Sequence, residues 1–172
     1  AMANVSVIGA GSWGTAPSLL LSGNGHKVTL WSIMEQEVKM LNEKREHLDK
    51  LPGVKLPEEM KITTDLEESI RGAELLVLAV PSPFARSTAH AMAPYVEKGQ
   101  IIVNVAKGIE EGTLMTLTDI IEEEIPACRA AVLSGPSHAE EVGRGLPTTV
   151  VAGAHDRKTA EFIQNIFMNQ VF

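Results

Sequence analysis

Three glycines near the start of the chain have the spacing of a phosphate-binding turn. Gly9, Gly11 and Gly14 form a G-x-G-x-x-G pattern after a strand-like run at residues 5–8 and before a helix-like apolar run. The first glycine allows a sharp turn, the second allows close approach of a pyrophosphate, and the third allows a helix to pack near the sheet. The N–H groups at that helix start would then bind the phosphates. In this context the pattern predicts a dinucleotide site, with an ordinary structural turn as the alternative.

Residues that could contact a substrate follow two later predicted strands. Lys107, beside Gly108, comes after the fifth strand, where its ammonium group could reach a substrate oxygen; a solvated surface lysine is the alternative. After the sixth strand, residues 134–141 include small side chains and hydroxyls that allow close approach of a ligand. His138 in this segment is a candidate acid–base group, although the neighbouring sequence identifies no partner for it.

The loop after the second predicted strand bears on the choice of dinucleotide. Many NAD sites carry an acid here for the ribose 2′-hydroxyl, whereas NADP sites provide a base for the 2′-phosphate. Ser32 and Ile33 supply neither, and we interpret the later Glu35 and Glu37 as solvated acids at a helix start, with a ribose contact as the alternative. Because no basic residue is available for a charge-assisted bond to a 2′-phosphate, the loop favours NAD over NADP.

Short apolar strands alternate with longer amphipathic stretches, which is typical of an α/β protein. Strands are predicted at residues 5–8, 27–31, 61–64, 74–80, 101–106, 129–133 and 148–152. Helices are predicted at residues 15–21, 34–47, 66–70, 82–95, 113–124 and 156–168, with a loop at residues 48–60. This order predicts a Rossmann-type, doubly wound, mostly parallel sheet with helices on both faces. Right-handed crossovers bring the loops after the strands to one edge, where ligands of such sheets bind.

The composition narrows the class of protein. A net charge of −7 argues against binding to nucleic acid or to an anionic membrane surface. The single cysteine, Cys128, cannot form an internal disulfide, and we interpret it as a small buried hydrophobe in a protein of the reducing cytoplasm. The longest strongly apolar run, residues 75–80, is too short to span a bilayer. The histidines lack metal-ligand spacing, so no metal site is predicted.

With these residues placed, the chain resembles the N-terminal domain of bacterial NAD(P)-dependent glycerol-3-phosphate dehydrogenases over nearly its whole length. The resemblance rests on short blocks: GAGSWGTA at 9–16, NGH at 24–26, LPGV at 51–54, AVPS at 79–82, KGIE at 107–110, LSGPS at 133–137, AEEV at 139–142 and GLPT at 145–148. It implies an oxidoreductase that transfers a hydride reversibly between NAD(P)H and dihydroxyacetone phosphate or sn-glycerol 3-phosphate. That reaction supplies glycerophospholipid synthesis.

The resemblance also implies roles for individual residues. Besides Gly9, Gly11 and Gly14 of the glycine turn, it implies cofactor contacts for Ser12, Trp13, Lys107 and Ala139, and substrate contacts for Lys107, Gly135 and Ser137. Lys107 thereby becomes the catalytic candidate, since its ammonium group would stabilise alkoxide or phosphate oxygens as the hydride leaves or arrives.

Four positions depart from the family pattern. Ile33 and Met34 stand where the family usually has one or two arginines, which argues against NADP. His138 replaces a usual phenylalanine, and Pro17 replaces a usual leucine. Because proline lacks an N–H and collides with the preceding turn, we expect a kink or an irregular first turn near Pro17.

The family continues into a helical C-terminal domain that carries the general-base lysine and most phosphate ligands, and this sequence stops before that segment. We therefore expect residues 1–172 to form one dinucleotide-binding domain that binds cofactor but turns over little or no substrate alone. Its exposed interdomain surface would also favour a homo-oligomer. Two alternatives remain: the domain of a related 3-hydroxyacid dehydrogenase, and a non-catalytic NAD-sensing module.

Overall fold

The computed structural model describes residues 2–106, 108–134 and 150–171, and its centre is a seven-stranded sheet. The strands are β1 (Asn4–Ile8), β2 (Lys27–Trp31), β3 (Glu46–His47), β4 (Leu51–Lys55), β5 (Lys61–Thr63), β6 (Leu75–Leu78), β7 (Ile101–Asn104), β8 (Arg129–Ser134) and β9 (Val151–Ala154). The main sheet has the order β5-β2-β1-β6-β7-β8-β9, and all of its neighbouring pairs are parallel except β8 and β9.

This strand order confirms the predicted Rossmann-type topology. The chain places β2 and β5 on one side of β1, then returns to place β6, β7 and β8 in succession on its other side. The direction of winding therefore reverses between β1 and β6, and ligands of open α/β sheets bind beyond the strand ends at such a reversal.

Six described helices cover the two faces of the sheet. They are α1 (Ser12–Gly23), α2 (Glu35–Lys44), α3 (Leu66–Ile70), α4 (Ala85–Met92), α5 (Leu117–Glu124) and α6 (Arg157–Met168). One core contains apolar side chains of α1, α2 and α6, and a second contains those of α3, α4 and α5. Strand β6 serves both: Leu75 and Val77 lie in the first core, and Leu76 and Leu78 in the second. This alternation explains the uninterrupted apolar run of that strand.

Local sequence signals fix several helix ends. The Asp65 side chain accepts a hydrogen bond from the Glu68 N–H and so caps the start of α3. The predicted helix at residues 82–95 is present as α4 between two 3₁₀ turns, Ser82–Phe84 and Ala93–Tyr95. In the part of the chain that is described, no helix is long and apolar enough to cross a membrane.

Two local expectations are corrected. Residues 48–60, predicted as a loop, contain β4, which pairs antiparallel with β3 in a small hairpin. The Glu46 carboxylate accepts a hydrogen bond from the Gly53 N–H, a contact within the hairpin that periodicity cannot reveal. The predicted helix at residues 34–47 ends at Lys44, because Arg45 adopts a left-handed conformation with φ 51°.

Helix α1 runs without interruption from Ser12 to Gly23, although Pro17 lies inside it. A kink or an irregular first turn near Pro17 was expected, but the helix is continuous and starts three residues earlier than predicted, so the proline falls in its second turn. The neighbouring Ala16 and Leu21 are buried and anchor the helix to the protein interior, which offsets the backbone hydrogen bond that proline cannot make.

The turn that follows α1 joins the beginning of the fold to its last helix. The side-chain amide of Asn24 donates to the carbonyl oxygens of Ile166 (3.1 Å) and Phe167 (3.0 Å) in the last turn of α6. His26 accepts a hydrogen bond from the Ala3 N–H at Nδ1, and its Nε2 lies 3.2 Å from the Ile166 oxygen. Burial lowers the pKa of His26, so the neutral imidazole is favoured. The NGH block is therefore a structural clamp.

Candidate dinucleotide site

The three glycines of the predicted turn differ in what a side chain would meet. A Cβ at Gly9 would lie 2.8 Å from the Ala79 carbonyl oxygen, and Gly9 has φ +119°. A Cβ at Gly14 would overlap the carbonyl oxygen of Gly9. Both glycines are thus required by the packing of the protein itself. Apart from its chain neighbours, a Cβ at Gly11 would meet no atom of the described residues within 4 Å, so the space beside this residue is open to an approaching ligand.

Helix α1 presents its N-terminus at the same place. Its N-cap residue is Gly11, which has no side chain to cap the helix, and no acidic residue lies in the first turn. The positive end of the helix is therefore not neutralised from within the first turn. Ser12 and Trp13 are its first two residues, and Trp13 is half-buried against the first core. An anionic group above Gly11 would meet this helix end.

The ends of β6 and β7 lie next to the glycine turn. The Ala79 N–H donates to the Ile8 oxygen (2.9 Å), and the Val105 N–H donates to the Leu78 oxygen (3.1 Å), so the three strand ends are level. The side-chain amide of Asn104 donates to the carbonyl oxygen of Ala106 and accepts from the Ala106 N–H, and thereby shapes the turn after β7.

The segment on either side of Lys107 approaches the 3₁₀ turn after β6. Gly108 has φ +120°, and a Cβ there would lie 3.4 Å from the Ser82 Oγ. Lys107 itself lies outside the described residues, as do Gly135, Ser137, His138 and Ala139. The described chain brings β8 to Ser134 at the same edge of the sheet, immediately before the predicted substrate residues.

A group of charged residues that sequence reasoning missed braces the segment after Lys107. The Arg86 guanidinium binds Glu110 with two hydrogen bonds (2.7 and 2.9 Å) and also contacts Glu123 and Glu124 on α5. Hydrogen bonding from Arg86, supported by Thr113, lowers the pKa of Glu110 to about 2. Residues 86 and 110 are far apart in sequence, so only the fold reveals their pairing.

A second set of hydrogen-bonded residues that the sequence did not reveal lies at the end of β2. We call it the Glu37 network (Ser32, Met34, Glu37, His47 and Lys50). The Ser32 Oγ lies 2.6 Å from one Glu37 carboxylate oxygen, and the His47 Nε2 lies 2.9 Å from the other. The Lys50 N–H donates to the His47 Nδ1, and the Met34 N–H donates to the Ser32 Oγ. The interpretation of Glu37 as a solvated acid is therefore wrong, whereas Glu35 is exposed.

A cleft at the opposite edge of the sheet is separate from these residues. It measures about 700 Å³ and is lined by residues including Glu122, Cys128 and His155. Burial raises the pKa of the Cys128 thiol to about 11, which disfavours the reactive thiolate. Among the described residues, no three His, Cys, Asp or Glu side chains are grouped to hold a metal ion.

A family model matches most of this chain. The model of the NAD-dependent glycerol-3-phosphate dehydrogenase N-terminus matches residues 4–160. Glycerol-3-phosphate dehydrogenase [NAD(P)+] of Agathobacter rectalis is 66% identical over 171 residues, and its counterpart from Fusobacterium nucleatum is 50% identical over 173 residues. Each alignment covers 99% of this chain, which spans about half the length of these curated relatives (51% and 52%).

A solved structure agrees with the sequence comparisons. The crystal structure of glycerol-3-phosphate dehydrogenase from Coxiella burnetii superposes with a TM-score of 0.91 at 30% identity, covering 98% of this chain and 52% of that one. On the evidence of the strand order, the glycine turn and these matches, the chain belongs to the NAD-dependent glycerol-3-phosphate dehydrogenase N-terminus family.

Proposed function

We propose that this chain is the dinucleotide-binding part of an NAD(P)-dependent glycerol-3-phosphate dehydrogenase. The enzyme would transfer a hydride reversibly between NAD(P)H and dihydroxyacetone phosphate or sn-glycerol 3-phosphate, in the cytoplasm and for glycerophospholipid synthesis. The observation that carries the proposal is the open space at Gly11 beside an uncapped helix start, between two glycines that the protein's own packing requires. The names of the relatives support the substrate.

The proposed cofactor site begins at the glycine turn. Gly9 and Gly14 keep the turn tight, and Gly11 allows the pyrophosphate to reach the N–H groups at the start of α1. Ser12 and Trp13 would contact the dinucleotide, and Ala139 would contact it from the segment after β8. The bound nicotinamide would supply or accept the hydride.

The proposed substrate site lies beyond the neighbouring strand ends. The ammonium group of Lys107 would neutralise the charge that develops on the substrate oxygen, and Gly135 and Ser137 would contact the substrate. The bracing of Glu110 by Arg86 supports a fixed path for the chain after Lys107. A helical domain outside this sequence would complete the catalytic site, so we expect residues 1–172 to bind cofactor with little or no turnover.

A matched pair of glycine variants tests the cofactor site. In both Gly11→Ala and Gly23→Ala the added methyl group meets no atom of the described residues within 4 Å beyond its local neighbours, and neither position has a left-handed φ, so both variants should fold normally. Gly11→Ala places its methyl where the pyrophosphate would approach, and we expect NADH affinity to fall about tenfold or more. Gly23→Ala should bind NADH like the wild type. Fluorescence titration with NADH measures both.

Two results would count against the proposal. Equal NADH affinity in the wild type and Gly11→Ala would show that the glycine turn does not hold the phosphates. Rapid oxidation of NADH by these 172 residues on addition of dihydroxyacetone phosphate would refute the need for a second domain. The alternative of an NAD-sensing module predicts NADH binding but no such turnover, even when the helical half of a relative is supplied.

A further inference from the structure

The hydrogen bonds of the Glu37 network fix the charge that it carries. The Lys50 N–H can only donate, so the His47 Nδ1 is an unprotonated acceptor and the ring proton is on Nε2, which donates to Glu37. The Ser32 Oγ accepts from the Met34 N–H and donates its own proton to Glu37. The imidazole is therefore neutral, and neither group that bonds the Glu37 carboxylate within the network, the Ser32 hydroxyl or the His47 ring, carries a positive charge.

The network lies where the adenosine half of a dinucleotide would end. Ser32 directly follows β2, and the Gly9 N–H donates to the oxygen of the last β2 residue, Trp31, at 2.8 Å. The glycine turn and the end of β2 are therefore direct neighbours. In this fold the adenosine ribose lies beyond the end of the second strand, where an acid about 20 residues after the glycines bonds its hydroxyl group.

We propose that Glu37 is the residue that selects the ribose 2′-hydroxyl of NAD over the 2′-phosphate of NADP, and that His47 positions it. The inference rests on the proposed function, because it requires a dinucleotide in the glycine turn. A carboxylate accepts a hydrogen bond from a hydroxyl and repels a phosphate. Glu37 is only 16% exposed, so its charge is less screened than that of a surface acid.

The charges around Glu37 reinforce this selection. Glu35 and Glu37 both lie in the first turn of α2 and oppose the positive helix end that could otherwise attract a phosphate. Residues 32–37 contain no lysine or arginine. Lys50 enters the network through its backbone N–H, so its side-chain charge is not part of it. The hairpin of β3 and β4 carries His47, whose buried side chain holds the Glu37 carboxylate in place.

The test compares NADH and NADPH binding in variants of the 172-residue chain. We expect the wild type to prefer NADH, and Glu37→Gln to lower the ratio of NADH to NADPH affinity about tenfold, mainly through tighter NADPH binding. Glu43→Gln removes the same charge from the exposed far end of α2 and should leave the ratio unchanged.

Two variants of His47 test its positioning role. His47→Ala should lower the ratio in the same direction as Glu37→Gln, because Glu37 loses its buried donor. His47→Gln should restore most of the preference, since its amide N–H can still donate to the carboxylate. Thermal unfolding identifies any His47 variant that fails to fold. In that case the comparison of Glu37→Gln with Glu43→Gln still tests whether Glu37 selects the cofactor.

The outcomes separate this inference from the proposed function. If the wild type binds NADPH as tightly as NADH, or if Glu37→Gln and Glu43→Gln change the ratio equally, the inference is overturned while the dinucleotide site stands. If the wild type binds neither nucleotide, the proposed function fails and the inference fails with it. A lower ratio in Glu37→Gln alone supports both.

Discussion

Asn24→Ala is the change that most directly tests how the last helix is held. The side chain of Asn24 is buried and donates to two carbonyl oxygens in the last turn of α6, where no further helical N–H is available to them. The Ile166 oxygen keeps a partner in His26 after the substitution. The Phe167 oxygen loses the hydrogen bond from Asn24, and Phe167 is only 2% exposed.

The magnitude follows from these two bonds. An intramolecular hydrogen bond contributes about 1 kcal/mol net, and a buried carbonyl left without a partner costs about 1–3 kcal/mol. We therefore expect Asn24→Ala to lower the free energy of unfolding by about 2 kcal/mol. In a domain of this size that corresponds to a fall in Tm of about 4–8 °C.

Urea denaturation followed by circular dichroism measures the difference. The matched control is Asn169→Ala, because Asn169 lies at the same helix end but is exposed, and its side chain bonds only Asn165 in the described structure. The control should change the free energy of unfolding by less than about 0.5 kcal/mol. Equal, small effects of the two substitutions would refute the clamp, since they would mean that the Asn24 contacts contribute nothing net.

Two further predictions concern the same half of the molecule. Because the pKa of His26 is lowered in the folded protein, the unfolded chain takes up a proton more readily than the folded one. The contribution of His26 to stability is therefore complete above about pH 6.5 and is lost as the pH falls below that value. His26→Gln should reduce the slope of unfolding free energy against pH in this range, and an unchanged slope would contradict the role of a buried neutral His26. Gly14→Ala should destabilise the fold by about 3 kcal/mol, because its methyl overlaps the Gly9 oxygen. If Gly14→Ala and Gly11→Ala gave the same thermal unfolding curve, the view that packing requires glycine at position 14 but not at position 11 would be refuted.

The sequence predicted most of the fold because the decisive signals are local. The apolar run of β6, the Asp65 cap and the position of β2 each depend on a few adjacent residues. The β3–β4 hairpin was missed because Pro52 and Gly53 are typical of loops, while the antiparallel partner that makes a strand of them is supplied by residues 46–47.

The site was predicted less completely, because side-chain partners are not written in the local pattern. Glu37 has the sequence surroundings of a solvated helix-start acid, and its burial depends on His47 in a different element. Arg86 likewise resembles any basic residue on a helix, and only the fold brings Glu110 to it. The signal that could have drawn attention to Glu37 is its distance from the glycine turn, which is typical of ribose-binding acids.

The position of strand β6 between the two cores has a consequence for how the domain unfolds. Its four side chains are almost completely buried and alternate between the two cores, while its backbone pairs with β1 on one side and β7 on the other. Neither helical layer can therefore melt without exposing a strand on which the other depends. The two faces therefore unfold together as one cooperative unit. A destabilising core substitution in α5 would lower the folded population of the whole domain, the glycine turn included, without a separate local change at that turn.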